Sequence, residues 1–195
     1  EAGRRRGGFL LFRSRDGKQW TRGGTMLGGS QPTVIVRDNG ELLSLLRHHP
    51  RIMTSISSDG GLHWSTSRRT ELKNPGSGIA MTKLRPASTA GPIHAGGSVR
   101  PPSKAGADRS GGRIVLVFNN TDESDRTPLC LLQSTDDGQT WHGLRRLESD
   151  WGEFSYPCIL QTSDGKIHIS YTYRRYSIKH VTFDEGWLTH EQRPN

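Results

Sequence analysis

The sequence predicts an all-β fold built as a propeller. Three observations carry this: short apolar runs broken by turn residues, a grouping of those runs in fours, and a tryptophan that returns at a regular interval. From Pro32 the first group is 32–36, 41–46, 51–57 and a weak run near 68–72. The second is 78–84, 113–118, 129–134 and a weak run near 143–147. The third is 156–162, 166–173, 177–183 and 187–190. DNG at 38–40 and SDG at 163–165 are hairpin signals, so each group reads as four antiparallel strands in meander order, one blade apiece. Trp20 and Trp64 are 44 residues apart, while Trp64 and Trp141 are 77 apart. The longer interval returns to the shorter one once 85–112 is set aside as an insertion. That segment is rich in Pro, Gly, Ser and Ala and is expected to lack regular structure. Residues 8–26 read as the last two strands of an earlier blade. Three and a half blades leave unpaired edges, so an upstream half of the ring or another subunit is expected to close it.

Composition narrows function less than it narrows fold. The formal net charge of +8 suits an anionic partner and leaves nucleic acid open, although the basic residues are scattered and no RNP, KH or zinc-finger pattern accompanies them. No apolar run approaches the roughly 18 residues of a membrane span. The eight His show no metal-ligand spacing, and no cofactor motif is present, so neither metal nor cofactor is expected. Cys130 and Cys158 are isolated and are expected as two buried thiols, with one disulfide as the alternative. Localisation is left open, as residue 1 is Glu1 and Arg4 to Arg6 form a short basic stretch.

At 57–64 the sequence is SSDGGLHW and at 134–141 it is STDDGQTW; both fit S-x-D-x-G-x-x-W, and RSRDGKQW at 13–20 is a degenerate copy. The chemistry of this pattern is structural. Asp59 and Asp136 can accept backbone N–H bonds within a turn, and Gly61 and Gly138 supply a permissive backbone. Trp64 and Trp141 are then expected near the interfaces between blades. All copies fall between the third and fourth strands, hence on one face of the ring. An insertion between strands 1 and 2 should leave the sheet on that same face. The start of strand 1, the end of strand 2 and the 2–3 loop share the opposite face. There the strand order gathers Gln31, Asn74, Glu153 and Tyr156 with Arg47, Arg126, Arg174 and Arg175.

The stretches 31–64, 74–78 (NPGSG), 126–129 (RTPL) and 154–175 (FSYPCILQTSDGKIHISYTYRR) resemble the BNR-repeat, Asp-box branch of the sialidase superfamily. The resemblance implies a six-bladed β-propeller of sialidase type, of which this chain is about the C-terminal half. It also implies a terminal anionic sugar as ligand and retaining exo-α-sialidase chemistry. Arg47 and Arg126 match two of the three arginines that hold the substrate carboxylate, since a guanidinium fork pairs with a carboxylate in two hydrogen bonds. Tyr156 matches the nucleophilic tyrosine, a recognised exception among glycosidases. A phenol near pKa 10 needs activation, and the position expected to carry the activating glutamate holds Gln31. Glu153, three residues before Tyr156, is the substitute, and Asn74 and Arg174 are further candidates for substrate binding. Two other readings stand beside hydrolysis of a sialoside: a catalytically silent propeller that serves as a binding or structural subunit of a larger assembly, and a pocket for a uronic-acid glycoside.

Overall fold

Alternating burial along short strands resolves into four antiparallel sheets taken in chain order. The computed structural model describes residues 8–85 and 112–189. The first sheet pairs β1 (Gly8–Arg13) with β2 (Thr21–Leu27). The second is β3 (Ser30–Val36), β4 (Leu42–Arg47), β5 (Arg51–Ser57) and β6 (Arg68–Lys73). The third is β7 (Ala80–Lys83), β8 (Ile114–Asn119), β9 (Leu129–Ser134) and β10 (His142–Glu148). The fourth holds β11 (Phe154–Gln161), β12 (Ile167–Tyr173) and β13 (Ser177–Phe183). Strands pair in sequence order throughout, and β7 touches both β3 and β11, which makes the first strand of the second, third and fourth sheets the inner edge of the ring.

The period of two lets one strand serve two cores. Along β8, Ile114, Leu116 and Phe118 join Ile35, Leu43 and Leu45 between the second and third sheets. Val115 and Val117 on the other face join Phe154, Ile159 and Ile169 between the third and fourth. Every residue of β8 and β9 is buried as a result. Cys130 lies in this core, where burial pushes its thiol up to about 11, while Cys158 is exposed. Both are free, so only one of the two expected buried thiols is buried.

The Asp boxes fold as the pattern requires. Asp59 Oδ1 accepts from the N–H groups of Leu62 and His63 at 3.0 and 2.9 Å, and Ser57 Oγ accepts from Gly61 N–H at 2.8 Å. Asp136 Oδ1 repeats this with Gln139 and Thr140 at 3.1 and 2.9 Å. The degenerate copy does the same through Asp16, which receives Lys18 and Gln19 N–H, both at 2.9 Å. Gly138 has φ +84°, and a Cβ there would stand 2.4 Å from Leu43 Cδ2, so the glycine lets each box sit down on the preceding sheet. Trp64 packs beside Gly24 of β2, and Trp141 packs on the core between the second and third sheets, each half-buried.

One expected strand is a helix. Residues 187–190 were expected to complete the last blade, but α1 (Glu185–Thr189) occupies most of that run and the fourth sheet has three strands. Asp184 caps it by accepting Trp187 N–H at 2.9 Å. Trp187 packs on Phe183 with centroids 4.6 Å apart, and the buried Arg145 of β10 lies 4.7 Å above the indole and donates to Leu188 O at 3.1 Å. The ends of the insertion leave the third sheet on the Asp-box face: Lys83 binds Asp137 of the second box at 2.8 Å and Asp38 at 2.6 Å, and Leu84 N–H bonds Arg113 O at 2.7 Å. Residues 86–111, and with them the expectation of irregular structure, lie outside the described residues.

Candidate functional site

On the face opposite the boxes, two inner strands open with the same device. Between Ser30↔Arg47 and Thr33↔Leu45, strand β3 carries one residue more than its partner, and β11 does so between Ser155↔Thr172 and Cys158↔Ser170. Each bulge holds a residue in the left-handed region, Gln31 at φ +44° and Tyr156 at φ +52°, followed by Pro32 and Pro157. Proline gives no N–H to a ladder and so sits at an edge or a bulge. The bulge re-aims the side chain before it. Left-handed backbone costs a non-glycine residue on the order of 1–3 kcal/mol, and such strain gathers at functional sites.

Gln31 Oε1 accepts from Arg47 Nη1 at 2.7 Å. Tyr156 is half-exposed, with the Arg126 guanidinium 5.2 Å from its ring centroid. Arg126 foremost, and Arg47 after it, hold the phenol below its ordinary pKa by hydrogen bonding and charge. Gly78 makes room for this ring, because a Cβ there would stand 3.2 Å from Tyr156 Cδ1. The structure thus brings Arg47, Gln31, Arg126 and Tyr156 together on one rim.

Glu153 joins the group but is already engaged. Its Oε1 accepts from Arg126 Nη1 and Ser155 Oγ, each at 2.9 Å, and its Oε2 accepts from Arg175 Nε. Burial pushes its carboxyl up, and Arg175, Ser155 and Arg126 more than offset that, so it stays below the usual range. No hydrogen bond joins it to the Tyr156 hydroxyl among the described residues. A carboxylate pinned by two guanidinium groups and held ionised is a weak base.

Two candidates stand elsewhere. Asn74, expected to touch substrate, is fully buried: its Oδ1 accepts from Gly76 and Ser77 N–H at 2.9 and 3.0 Å, which folds the NPGSG turn. Ser77 then donates to Asn119, whose Nδ2 reaches Phe154 O at 2.9 Å. Asn74 therefore supports the start of β11 from within, for the physical reason that an Asx turn uses its carbonyl on its own backbone. Arg174 lies outside the Arg47 group, with its guanidinium 5.4 Å from the Tyr173 ring and 3.6 Å from Asp150. No group of three His, Cys, Asp or Glu side chains among the described residues is placed to hold a metal.

The family profile described as "BNR repeat-like domain" matches residues 1–90 and 98–169. The chain belongs to that family. No curated protein matches its sequence. Among solved structures, the BNR repeat-like domain is similar to the NanB sialidase of Streptococcus pneumoniae, with a TM-score of 0.68 at 16% identity over 94% of this chain and 28% of that one. It is similar to the intramolecular trans-sialidase of Ruminococcus gnavus, with a TM-score of 0.66 at 20% identity over 95% of this chain and 39% of that one. The leech intramolecular trans-sialidase gives 0.67 at 19% identity, covering 93% and 28%. These likenesses show the fold: the BNR repeat-like domain has the sialidase-type propeller architecture and spans well under half the length of those chains.

Sequence reasoning did not single out three side chains beside the group: Trp151, Tyr176 and Arg175 as a partner of Glu153. Their only signal is an aromatic within the polar loop 149–153 and another after a double arginine. The proline that follows Gln31 and Tyr156 was a readable sign of the bulges.

Proposed function

We propose that this sialidase-like domain binds the carboxylate of a terminal anionic sugar through Arg47 and Arg126 and acts on it as a retaining glycoside hydrolase of the exo-α-sialidase type. The supporting observation is the placement of Tyr156 between two guanidinium groups that lower its phenol pKa. In this reading the Tyr156 phenol gives its proton to solvent, and the phenolate oxygen bonds to the anomeric carbon as the bond to the leaving oxygen breaks. Water then displaces the phenol in a second step and the configuration is retained. The charge of the arginines replaces part of the work of a carboxylate base. The proton for the leaving oxygen comes from a group outside the described residues, which makes the closed ring, supplied by an upstream half or another subunit, part of the proposal.

Gln31 and the engaged Glu153 favour a second reading, a domain that binds the same sugar without cleaving it, as a subunit of a larger assembly. The readings separate in the complete protein assayed with 4-methylumbelliferyl sialoside and glucuronide. Hydrolysis predicts that Tyr156→Phe abolishes turnover and leaves binding intact. Arg47→Ala should weaken binding about thirty-fold, about 2 kcal/mol, the scale of a lost charge-assisted hydrogen bond. Binding without turnover selects the second reading. Wild type that neither binds nor cleaves either probe refutes both.

A further inference from the structure

Neither Arg126 nor Tyr156 is placed by a regular strand ladder. Arg126 lies in the loop between β8 and β9, and the pairing of β11 with β12 is interrupted between Ser155↔Thr172 and Cys158↔Ser170, where Tyr156 sits at φ +52°. Their mutual geometry, with the guanidinium 5.2 Å from the ring centroid, therefore has to be braced from elsewhere. The brace is a single buried amide. Asn119, the last residue of β8, is fully buried. Its Nδ2 donates to Phe154 O at 2.9 Å and to Pro128 O at 3.2 Å, and its Oδ1 accepts from Ser77 Oγ.

Each arm of that amide ends on a segment that carries one part of the site. Phe154 is two residues before Tyr156, Pro128 is two after Arg126, and Ser77 precedes Gly78, against which the Tyr156 ring lies. Phe154 N–H completes the circuit by bonding Arg126 O at 3.0 Å. Ser77 is fixed in turn, since its N–H bonds the buried Asn74 Oδ1 at 3.0 Å. An asparagine amide holds two N–H donors and one carbonyl in a rigid plane, and all of them are used here. Aspartate lacks the donors, leucine keeps the volume and bonds nothing, and serine is too short to span two carbonyls. Hydrogen bonds made out of reach of water are strong and hold their geometry.

We propose that Asn119 is the positioning residue of this site, fixing the Arg126 guanidinium over Tyr156 without touching a ligand itself. Its part in turnover rests on the hydrolase reading above, whereas its hold on the phenol does not. The test titrates Tyr156 in the complete protein by tyrosinate absorbance against pH, each variant referenced to the same variant carrying Tyr156→Phe. Asn119→Leu removes all three bonds, and Asn119→Ser leaves one short donor. In both, the phenol should titrate at higher pH than in wild type, because Arg126 moves away from it. Hydrolysis of 4-methylumbelliferyl sialoside should fall about a hundred-fold in Asn119→Leu, the scale of a misplacement of about 1 Å. Asp136→Ala, which loosens the fold from the opposite face, is the control and should leave the phenol where it is. An unmoved phenol in the Asn119 variants overturns the proposal and leaves Asn119 a core residue; if Asn119→Leu does not fold, Asn119→Ser decides alone. An equal shift in Asp136→Ala also overturns it, since lost stability would then account for the effect. A wild type that cleaves neither sialoside nor glucuronide fails the hydrolase reading, while the titration still decides the role of Asn119.

Discussion

Asp136→Ala removes the acceptor around which the second Asp box is wound. Its carboxylate takes the N–H groups of Gln139 and Thr140 at 3.1 and 2.9 Å, and Ser134 Oγ donates to it at 2.7 Å. Hydrogen bonds to a charged acceptor contribute about 1.5–3 kcal/mol each, and water replaces part of that at a half-buried turn, so the expected loss is about 2–4 kcal/mol. For a chain of this size each kcal/mol moves Tm by about 2–4 °C, which gives a fall of about 4–16 °C. The acid limb offers an independent check. Burial pushes Asp136 up, but Thr140, Ser134 and Gln139 bring it down to about 2, against an ordinary 3.8. A depressed carboxyl gives stability that is fully present above about pH 4 and is lost as pH falls through 2. After solvent screening this contribution is about 1 kcal/mol. Asp136→Asn should keep part of the turn and lose the acid limb. Melting curves of the complete protein between pH 2 and 7 measure both. An unchanged midpoint and acid limb in Asp136→Ala would refute the structural role, as would a loss of turnover with stability intact.

Gly138→Ala places a Cβ at φ +84° against Leu43 and should cost about 2–4 kcal/mol by urea unfolding; a neutral effect would show that the box does not bear on the core. Gln31→Glu puts a negative charge on Arg47, so the phenol of Tyr156 should titrate at higher pH than in wild type. Tyrosinate absorbance against pH, referenced to Tyr156→Phe, reads the shift, and no shift would mean that Arg47 does not act on the phenol. Arg145→Ala frees α1 of its bond to Leu188 and its cover on Trp187. Amide exchange over 185–189 should then rise at least several-fold without loss of the sheets.

Most of the fold was legible because its signals are local. Turn dipeptides, period-two burial and the Asp boxes each lie within a few residues, and meander order then decides which loops share a face. The rim that carries Arg47, Arg126 and Tyr156 follows from that order. The last strand misled because W-L-T-H is short and apolar enough for either state, and the cap at Asp184 lies just outside it. At Asn74 the limit is different: strand position places a residue on a face but does not say whether its side chain points outward or folds back on its own turn. Glu153 shows the same limit, since the cations that occupy it come from the β8–β9 loop and the β12–β13 turn. The exposure of Trp151 and Tyr176 is a property of the assembled loops and has no counterpart in a single run of residues.

The clamp at the mouth of the insertion has an evolutionary consequence. Lys83, held by Asp38 and Asp137, and the bond between Leu84 and Arg113 close the base of the loop independently of what the loop contains. Doubling the length of a closed loop costs only about 0.6 kcal/mol. The end of the ring that carries Tyr156 is the far end, so growth or replacement of 86–111 leaves the rim of Arg47, Arg126 and Tyr156 unstrained. This domain can therefore gain a new appendage on one face while selection keeps the other face fixed.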